Sequence, residues 1–301
     1  MGLLNFFSAK RKSTNCELGL TLSEQGIFVA HFDKEGKLIT AIFEPGKWLN
    51  LAKWIEQQKL QGTKVFCVLN WDSYSLYQVE PPSVPEEEMN QALLFSLRDR
   101  INFPITEGHI DSFPMPKNAQ RSNQSRINVV VAHLPLLQNI TQGVRAAGLL
   151  PKIISVPELE LGHFISDHPD MKKGLCIIAY RDEKITLMIY REDELYVSRT
   201  LTSINNWQQC LQPDSYQAAE NLVLEIQRTL DYYQSQMAQP PVAKVLLPDW
   251  SEPLEPLLQF LGDNLGTNVE LLEVPKSEIP VSIYQQQTIA LAIAGAQSAK
   301  R

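Results

Sequence analysis

Cysteine is scarce, and the four present, Cys16, Cys67, Cys176 and Cys210, form no CxxC pair and have no histidine at ligand spacing. A disulfide framework and a zinc site are therefore not expected. Three of the four lie in strand-like apolar runs, where a free thiol acts as a small hydrophobe. Histidine is equally thin: His133, His163 and His168 share no spacing that would hold a metal, so structural roles are expected for them. The sequence contains no Walker loop, no Gly-x-Ser-x-Gly elbow and no His-Glu-x-x-His helix. Positive charge is also lacking. The net charge of −7 argues against nucleic acid as the main partner, because phosphate binding needs a clustered positive field.

No apolar run is long enough to span a bilayer. The opening Leu3, Leu4, Phe6 and Phe7, followed by Lys10, Arg11 and Lys12, is too short for a signal-peptide core and precedes no small-residue cleavage site. Residues 1–15 read as a flexible N-terminus, whose apolar-then-basic order would also suit contact with an anionic membrane surface. Without export signal or cysteine pattern, a cytoplasmic location is expected.

What is present is an ordinary globular balance, 44% hydrophobic and 20% charged over 301 residues, enough for two lobes. The stretch from Cys16 to Phe43 reads as three strands joined by turns at Ser23-Glu24-Gln25-Gly26 and Asp33-Lys34-Glu35-Gly36, an antiparallel meander. Apolar spacing predicts a helix over Trp48–Gln58 and a buried strand over Lys64–Asn70. Pro81, Pro82 and Pro85 stop any strand. A helix then starts with Ser83 as its cap and Glu86, Glu87 and Glu88 complementing its dipole, and runs to about Arg100. The polar stretch Lys117–Arg126 reads as a hairpin tip, and Ile127–His133 as a buried strand that returns the chain to an α/β core. A helix over Leu136–Ala147, a strand over Pro151–Val156 and a helix over Glu158–Ile165 complete the first half.

From Leu175 the order repeats. Three strands with tight turns end at Leu201; then come a helix over Tyr216–Gln236, a strand over Ala243–Leu247, a helix over Leu254–Leu265, a strand over Asn268–Val274 and an apolar closing helix, Ile283–Ser298. Two halves, each a meander followed by helix–strand alternation, predict two similar lobes with a cleft between them. Glu158 and Glu160 fall on different helix faces and do not form an acid/base pair.

The order of landmarks resembles the actin/Hsp70/FtsA superfamily, and within it the PilM-type type IV pilus assembly proteins, including those of mannose-sensitive haemagglutinin (MSHA) systems. The landmarks are Leu18-Gly19-Leu20-Thr21-Leu22-Ser23 before Gly26-Ile27-Phe28-Val29-Ala30; Pro81-Pro82-Ser83-Val84-Pro85-Glu86-Glu87-Glu88; and Phe103-Pro104-Ile105 before Asp111. Ala146-Ala147-Gly148-Leu149-Leu150-Pro151, Tyr196-Val197-Ser198-Arg199 and the run Leu224–Tyr233 follow in sequence. The resemblance implies a two-lobed actin-like α/β fold of the duplicated ribonuclease H-like kind. Lobe 1 would span 16–170 with an inserted subdomain over about 81–126, and lobe 2 would span 171–301.

Nucleotide chemistry in that superfamily uses an Asp-x-Gly turn from each lobe, the glycine letting backbone N–H groups reach phosphate and the aspartate serving the metal. Here the first reads Thr21-Leu22-Ser23 and the second Ala179-Tyr180-Arg181, while the third, usually glycine-rich loop reads Leu247-Pro248-Asp249-Trp250. Thr21, Ser23, Ala179, Arg181 and Pro248 are thus degenerate phosphate-loop positions. No cofactor or metal is expected, ATP with magnesium is disfavoured, and the chain reads as a non-catalytic scaffold. The partner implied by the resemblance is the cytoplasmic N-terminal segment of a PilN-like bitopic inner-membrane protein, which would make the chain peripheral to that membrane. The surface it implies includes Ala92, Phe95, Ser96 and Ile101, with Phe103 to Asp111 beside them. Packing of Phe95 and Ile101 onto their own lobe is the alternative for those side chains. The alternative function is a nucleotide-switched actin-like protein with residual ATPase activity. A third relative, the cytoplasmic domain of type II secretion GspL proteins, is disfavoured because no membrane helix follows the closing one before Arg301.

Overall fold

The computed structural model describes residues 16–119, 126–181, 184–204, 206–211, 216–250 and 253–298. The apolar-then-basic N-terminal run and the centre of the expected hairpin tip lie outside them. The first sheet opens with the meander β1 (Cys16–Ser23), β2 (Gly26–Phe32) and β3 (Leu38–Phe43). Its turns follow their side chains. Ser23 Oγ accepts the Gln25 N–H at 3.1 Å, and Asp33 Oδ1 accepts those of Glu35 at 2.9 Å and Lys37 at 2.8 Å. Helix α1 (Trp48–Gln57) leads to β4 (Lys64–Val68).

The chain then builds a small sheet from β5 (Tyr74–Val79), β6 (Gly108–Pro114) and β7 (Ile127–His133), with α2 (Glu86–Ser96) between the first two strands. It rejoins the first sheet through α3 (Leu134–Ala146) and β8 (Leu150–Ser155). The order is β3-β2-β1-β4-β8, with β4 and β8 running parallel to β1.

One local reading is refined here, and another changes. Ile127–His133 pairs as the centre of the small sheet, order β5-β7-β6, and reaches the main core through one face, Val130 and Ala132, while Val129 and Val131 face the subdomain's own core. An unbroken β-branched run signals burial but does not say which sheet buries it. Ser83 does not cap α2: the residue before the helix is Pro85, with no side-chain cap bond. The exposed Glu86, Glu87 and Glu88 in its first turn remain as dipole partners. The helix ends at Ser96, and a single 3-10 turn, Arg98–Arg100, carries the chain on.

After α4 (Pro157–Glu160), the second sheet is built from β9 (Leu175–Arg181), β10 (Lys184–Arg191) and β11 (Glu194–Leu201). Glu192 and Asp193 take φ of 53° and 61° at the β10–β11 turn, the left-handed pair that a two-residue hairpin requires. Helix α5 (Tyr216–Ser235), β12 (Lys244–Pro248), α6 (Glu255–Leu265) and β13 (Asn268–Leu272) follow. The order β11-β10-β9-β12-β13 repeats that of the first sheet strand for strand.

The closing helix α7 (Ile283–Ser298) returns to the first sheet. One face of that sheet packs Leu18 and Leu20 toward Leu51, Ile55 and Val144 of α1 and α3. The other packs Phe28 and Ala30 against Ile289, Ala292, Ile293 and Ala296 of α7. Contact is close enough to need missing side chains. A Cβ on Gly19 would lie 1.8 Å from the Ala292 carbonyl oxygen, and one on Gly295 would lie 3.0 Å from that of Phe66. Among the described residues no helix is long and apolar enough to cross a membrane.

Gly19→Ala should therefore lower stability by about 3 kcal/mol, since neither backbone can yield without lifting α7. Gly262→Ala, where nothing lies within 4 Å on α6, should raise it by about 0.5–1 kcal/mol through helix propensity. Urea unfolding of both variants checks this; a parental midpoint for Gly19→Ala would contradict the seating of α7.

Candidate functional site

The β1–β2 and β9–β10 hairpins face a cleft of about 760 Å³ lined by Ser23, Glu24, Gly26, Trp48, Asn70, Asp72, Asn139, Lys184 and Tyr284. Lys184 Nζ reaches Asp72 Oδ1 at 2.6 Å, so an ion pair joins the second sheet to the loop after β4. Both side chains are about half exposed, and such a pair contributes only ~0–1 kcal/mol.

The phosphate-turn positions end up in different places. Thr21 is fully buried, and its hydroxyl has no hydrogen-bond partner and does not line the cleft. Ser23 does line it, with its oxygen occupied by the Gln25 N–H. The hairpin glycine, Gly26, serves the fold: a Cβ there would lie 2.2 Å from the Phe43 carbonyl oxygen of β3. Ala179 lines a second cavity, and the side chain of Arg181 lies outside the described residues. Pro248 is buried at the end of β12, its carbonyl accepting the Tyr180 hydroxyl at 3.1 Å. Tyr180 stacks on Trp207 at 3.9 Å and 16°, and meets Trp250 edge-on at 6.5 Å. All three rings are at most 4% exposed, so this loop is packed with aromatic carbon rather than left open by glycine.

The second cavity, about 350 Å³, lies between β5 and the second sheet and is lined by Trp71, Tyr74, Ser75, Glu158, Lys184 and Ser198, among others. Its most unusual group is Glu158, 4% exposed, which accepts the Tyr74 hydroxyl at 2.5 Å and has the Ser198 hydroxyl near it on the cavity wall. Burial pushes its carboxyl up to about 7, against the pull of those two hydroxyls. Tyr74 is driven well above the ordinary tyrosine value by the same burial and then by Glu158. A carboxyl with that value can take or release a proton at neutral pH. Two residues on, Glu160 is fully buried and accepts the hydroxyls of Ser155 and Ser298, joining the end of β8 to the end of α7. The thiols are inert by comparison, burial raising Cys176 to about 12 and Cys210 to about 11.

The second set of sequence-derived positions belongs to the small subdomain. Phe95 is 61% exposed, with the Arg98 guanidinium 4.2 Å above its ring. Ala92 is half-buried, and the exposed Ser96 donates to the Leu93 carbonyl at 2.8 Å. Ile101 and Phe103 are half-buried against the core of Leu93, Leu97, Ile110, Val129 and Val131, so they pack onto their own subdomain while Phe95 does not. Asp111 sits on β6, its Oδ1 accepting the Ser112 N–H at 2.8 Å. β6 ends the small sheet, and among the described residues no strand pairs with its outer edge.

No protein-family model matches the sequence, and no curated protein does. Solved structures do resemble the fold. One, described as the PilM-PilN type IV pilus biogenesis complex, aligns at a TM-score of 0.65 with 20% identity, over 96% of this chain and 100% of that one. A Bacteroides thetaiotaomicron protein of actin-like ATPase fold and unknown function aligns at 0.50 with 11% identity, over 90% of this chain and 94% of that one. The cytoplasmic domain of EpsL, an inner-membrane component of the Vibrio cholerae type II secretion system, aligns at 0.47 with 14% identity, over 92% and 94%. The chain has the two-lobed actin-like fold, with the small sheet inserted in its first half.

The sequence set Glu158 aside because its donor, Tyr74, stands 84 positions away. The burial of Glu158 predicts a pH-dependent stability. The folded carboxyl binds its proton more tightly than an ordinary one at 4.5, so the stability contributed below 4.5 is lost as pH rises through about 7. Glu158→Gln has no such loss, and its advantage over the parent should grow by up to about 3 kcal/mol from acid to mildly alkaline pH. Melting curves of both proteins at several pH values test this; parallel curves would remove the buried carboxyl from the account.

Proposed function

We propose that the chain is a non-catalytic cytoplasmic scaffold of a type IV pilus assembly machine, PilM-like and of the MSHA type. Its small subdomain would hold the cytoplasmic N-terminal segment of a PilN-like bitopic inner-membrane protein. That anchored partner would keep the chain at the inner membrane and couple it to the rest of the machine. The observation that carries the reading is the pair of motif positions for the metal-orienting carboxylates: Thr21 is a sealed hydroxyl and Ala179 a methyl. With neither carboxylate, magnesium has no oriented protein ligand at those positions. The aromatic cluster of Tyr180, Trp207 and Trp250 adds to this, packing side-chain bulk against the third loop.

The binding side of the reading rests on β6 and Phe95. An extended segment can add to an open strand edge through main-chain hydrogen bonds, which is a sequence-tolerant way to hold a short peptide. Phe95, held by Arg98, supplies an exposed aromatic anchor on the same subdomain. The PilM-PilN likeness, which spans nearly all of both chains, supports the choice of partner class.

Calorimetry separates this reading from a nucleotide-switched one. A synthetic N-terminal peptide of the cognate PilN-like protein should bind saturably, Phe95→Ala should weaken it about tenfold, and Mg-ATP should give no heat. Absence of saturable peptide binding would sink the scaffold assignment. Micromolar Mg-ATP binding would mean that the cleft around Ser23, Asn70 and Lys184 has rebuilt a phosphate site.

A further inference from the structure

The buried carboxyl of Glu158 has a hydroxyl partner on one side and an empty volume in front. Tyr74 reaches it from β5, and the 350 Å³ cavity beside them is also lined by Ser198 of β11, Trp71, Tyr77, Thr186 and Thr200, among others. Thr186 and Thr200 already share a hydroxyl bond at 3.0 Å, which leaves the aromatic rings and the carboxyl as the groups able to select a ligand by charge. Behind Glu158, Tyr190 donates its hydroxyl to the Glu158 backbone carbonyl at 2.9 Å, and His163 and Asp193 line a smaller recess there. Lys184 is the cation on the cavity wall, and its ammonium is turned to Asp72 at 2.6 Å. With Glu158 ionised, Asp72, Lys184 and Glu158 together carry one net negative charge.

A carboxylate taken out of water is costly unless a cation or strong donors compensate it, and aromatic walls favour cations over neutral groups. We propose that this cavity is a binding site for a single alkylammonium or alkylguanidinium group, which inserts between the two lobes and pairs with the Glu158 carboxylate against Tyr74 and Trp71. The volume suits one side chain or a small free amine. A basic side chain of a protein segment lying at the cytoplasmic membrane surface is one source, since such segments are rich in lysine and arginine. A free amine is the other. The site stands whether or not the pilus reading does.

Because the group must ionise to pair, occupancy depends on pH. Glu158 titrates near 7, raised by burial and lowered by Tyr74 and Ser198, so a cation bound there displaces its proton. Affinity should rise about tenfold between one unit below and one unit above that value.

Butylguanidinium, butylammonium and neutral butylurea titrated into the full chain, followed through backbone amide resonances, test the site. Both cations should give saturable shifts at Ser75, Thr186 and Ser198, about tenfold tighter above neutral pH than below it. Butylurea should give none, and Glu158→Gln, with an otherwise parental spectrum, should abolish the response. Equal binding of the urea, unchanged binding by Glu158→Gln, or no saturable shift in the cavity would each overturn the proposal. A parallel arm titrates the partner peptide with its basic residues replaced by citrulline or norleucine. Lost affinity that Glu158→Gln reproduces identifies a protein side chain as the source. Unchanged peptide affinity, with the small cations still bound, identifies a free amine. A peptide that does not bind at all removes the scaffold reading and leaves the cation result standing.

Discussion

The seating of α7 on the first sheet holds the rest in place. This helix follows the second sheet in the chain yet packs on β1, β2 and β4, so the last elements of the molecule are buried in the first lobe. Small residues make it possible: Ala292 and Ala296 of the helix meet Gly19 of β1, and Gly295 meets the backbone of Phe66. Close packing of this kind adds many weak contacts and tolerates no extra carbon. At the far end, Ser298 hands its hydroxyl to Glu160, which also accepts Ser155 at the end of β8. A buried carboxylate held by two hydroxyls from distant chain segments fixes the junction through which the second half is hung.

That junction sets the geometry of the cleft. Two contacts join the halves: Lys184 to Asp72 at the cleft, and, beside the second cavity, the Tyr190 hydroxyl to the backbone carbonyl of Glu158, whose carboxyl accepts Tyr74. The first bond is half exposed and weak, whereas the second holds a residue almost out of water. Against the third loop, Tyr180 of β9 stacks on Trp207 and meets Trp250 edge-on, a solid aromatic wall. The frame is that of an actin-like protein, with the Lys184–Asp72 ion pair on the wall of its cleft.

Much of this frame could be read from the residues. The two meanders were legible because alternation and turn chemistry act within a few residues: Asp33 folds its own loop, and Glu192-Asp193 closes a two-residue hairpin. The closing helix was legible in extent but not in destination, since an all-round apolar helix signals burial without saying where. The same ambiguity left open which sheet β7 joins. Gly19, a member of the landmark run ahead of the first turn position, proved to be a seat for Ala292. Spacing alone treated Glu158 and Glu160 as unpaired but could not see that both are buried, because Tyr74 and Ser298 come from other parts of the chain. Nor could periodicity distinguish Phe95, which faces solvent, from Ile101, which packs inward.

The central claim is that the cleft is organised by the protein's own side chains and not by nucleotide. Amide hydrogen exchange across β1–β2 and β9–β10, with and without saturating Mg-ATP, tests it most directly, because a ligand gripped by both hairpins must slow their opening. The account predicts superimposable exchange in both hairpins. Slowed exchange in the two together, appearing only with the nucleotide, would contradict it and make the molecule a nucleotide switch.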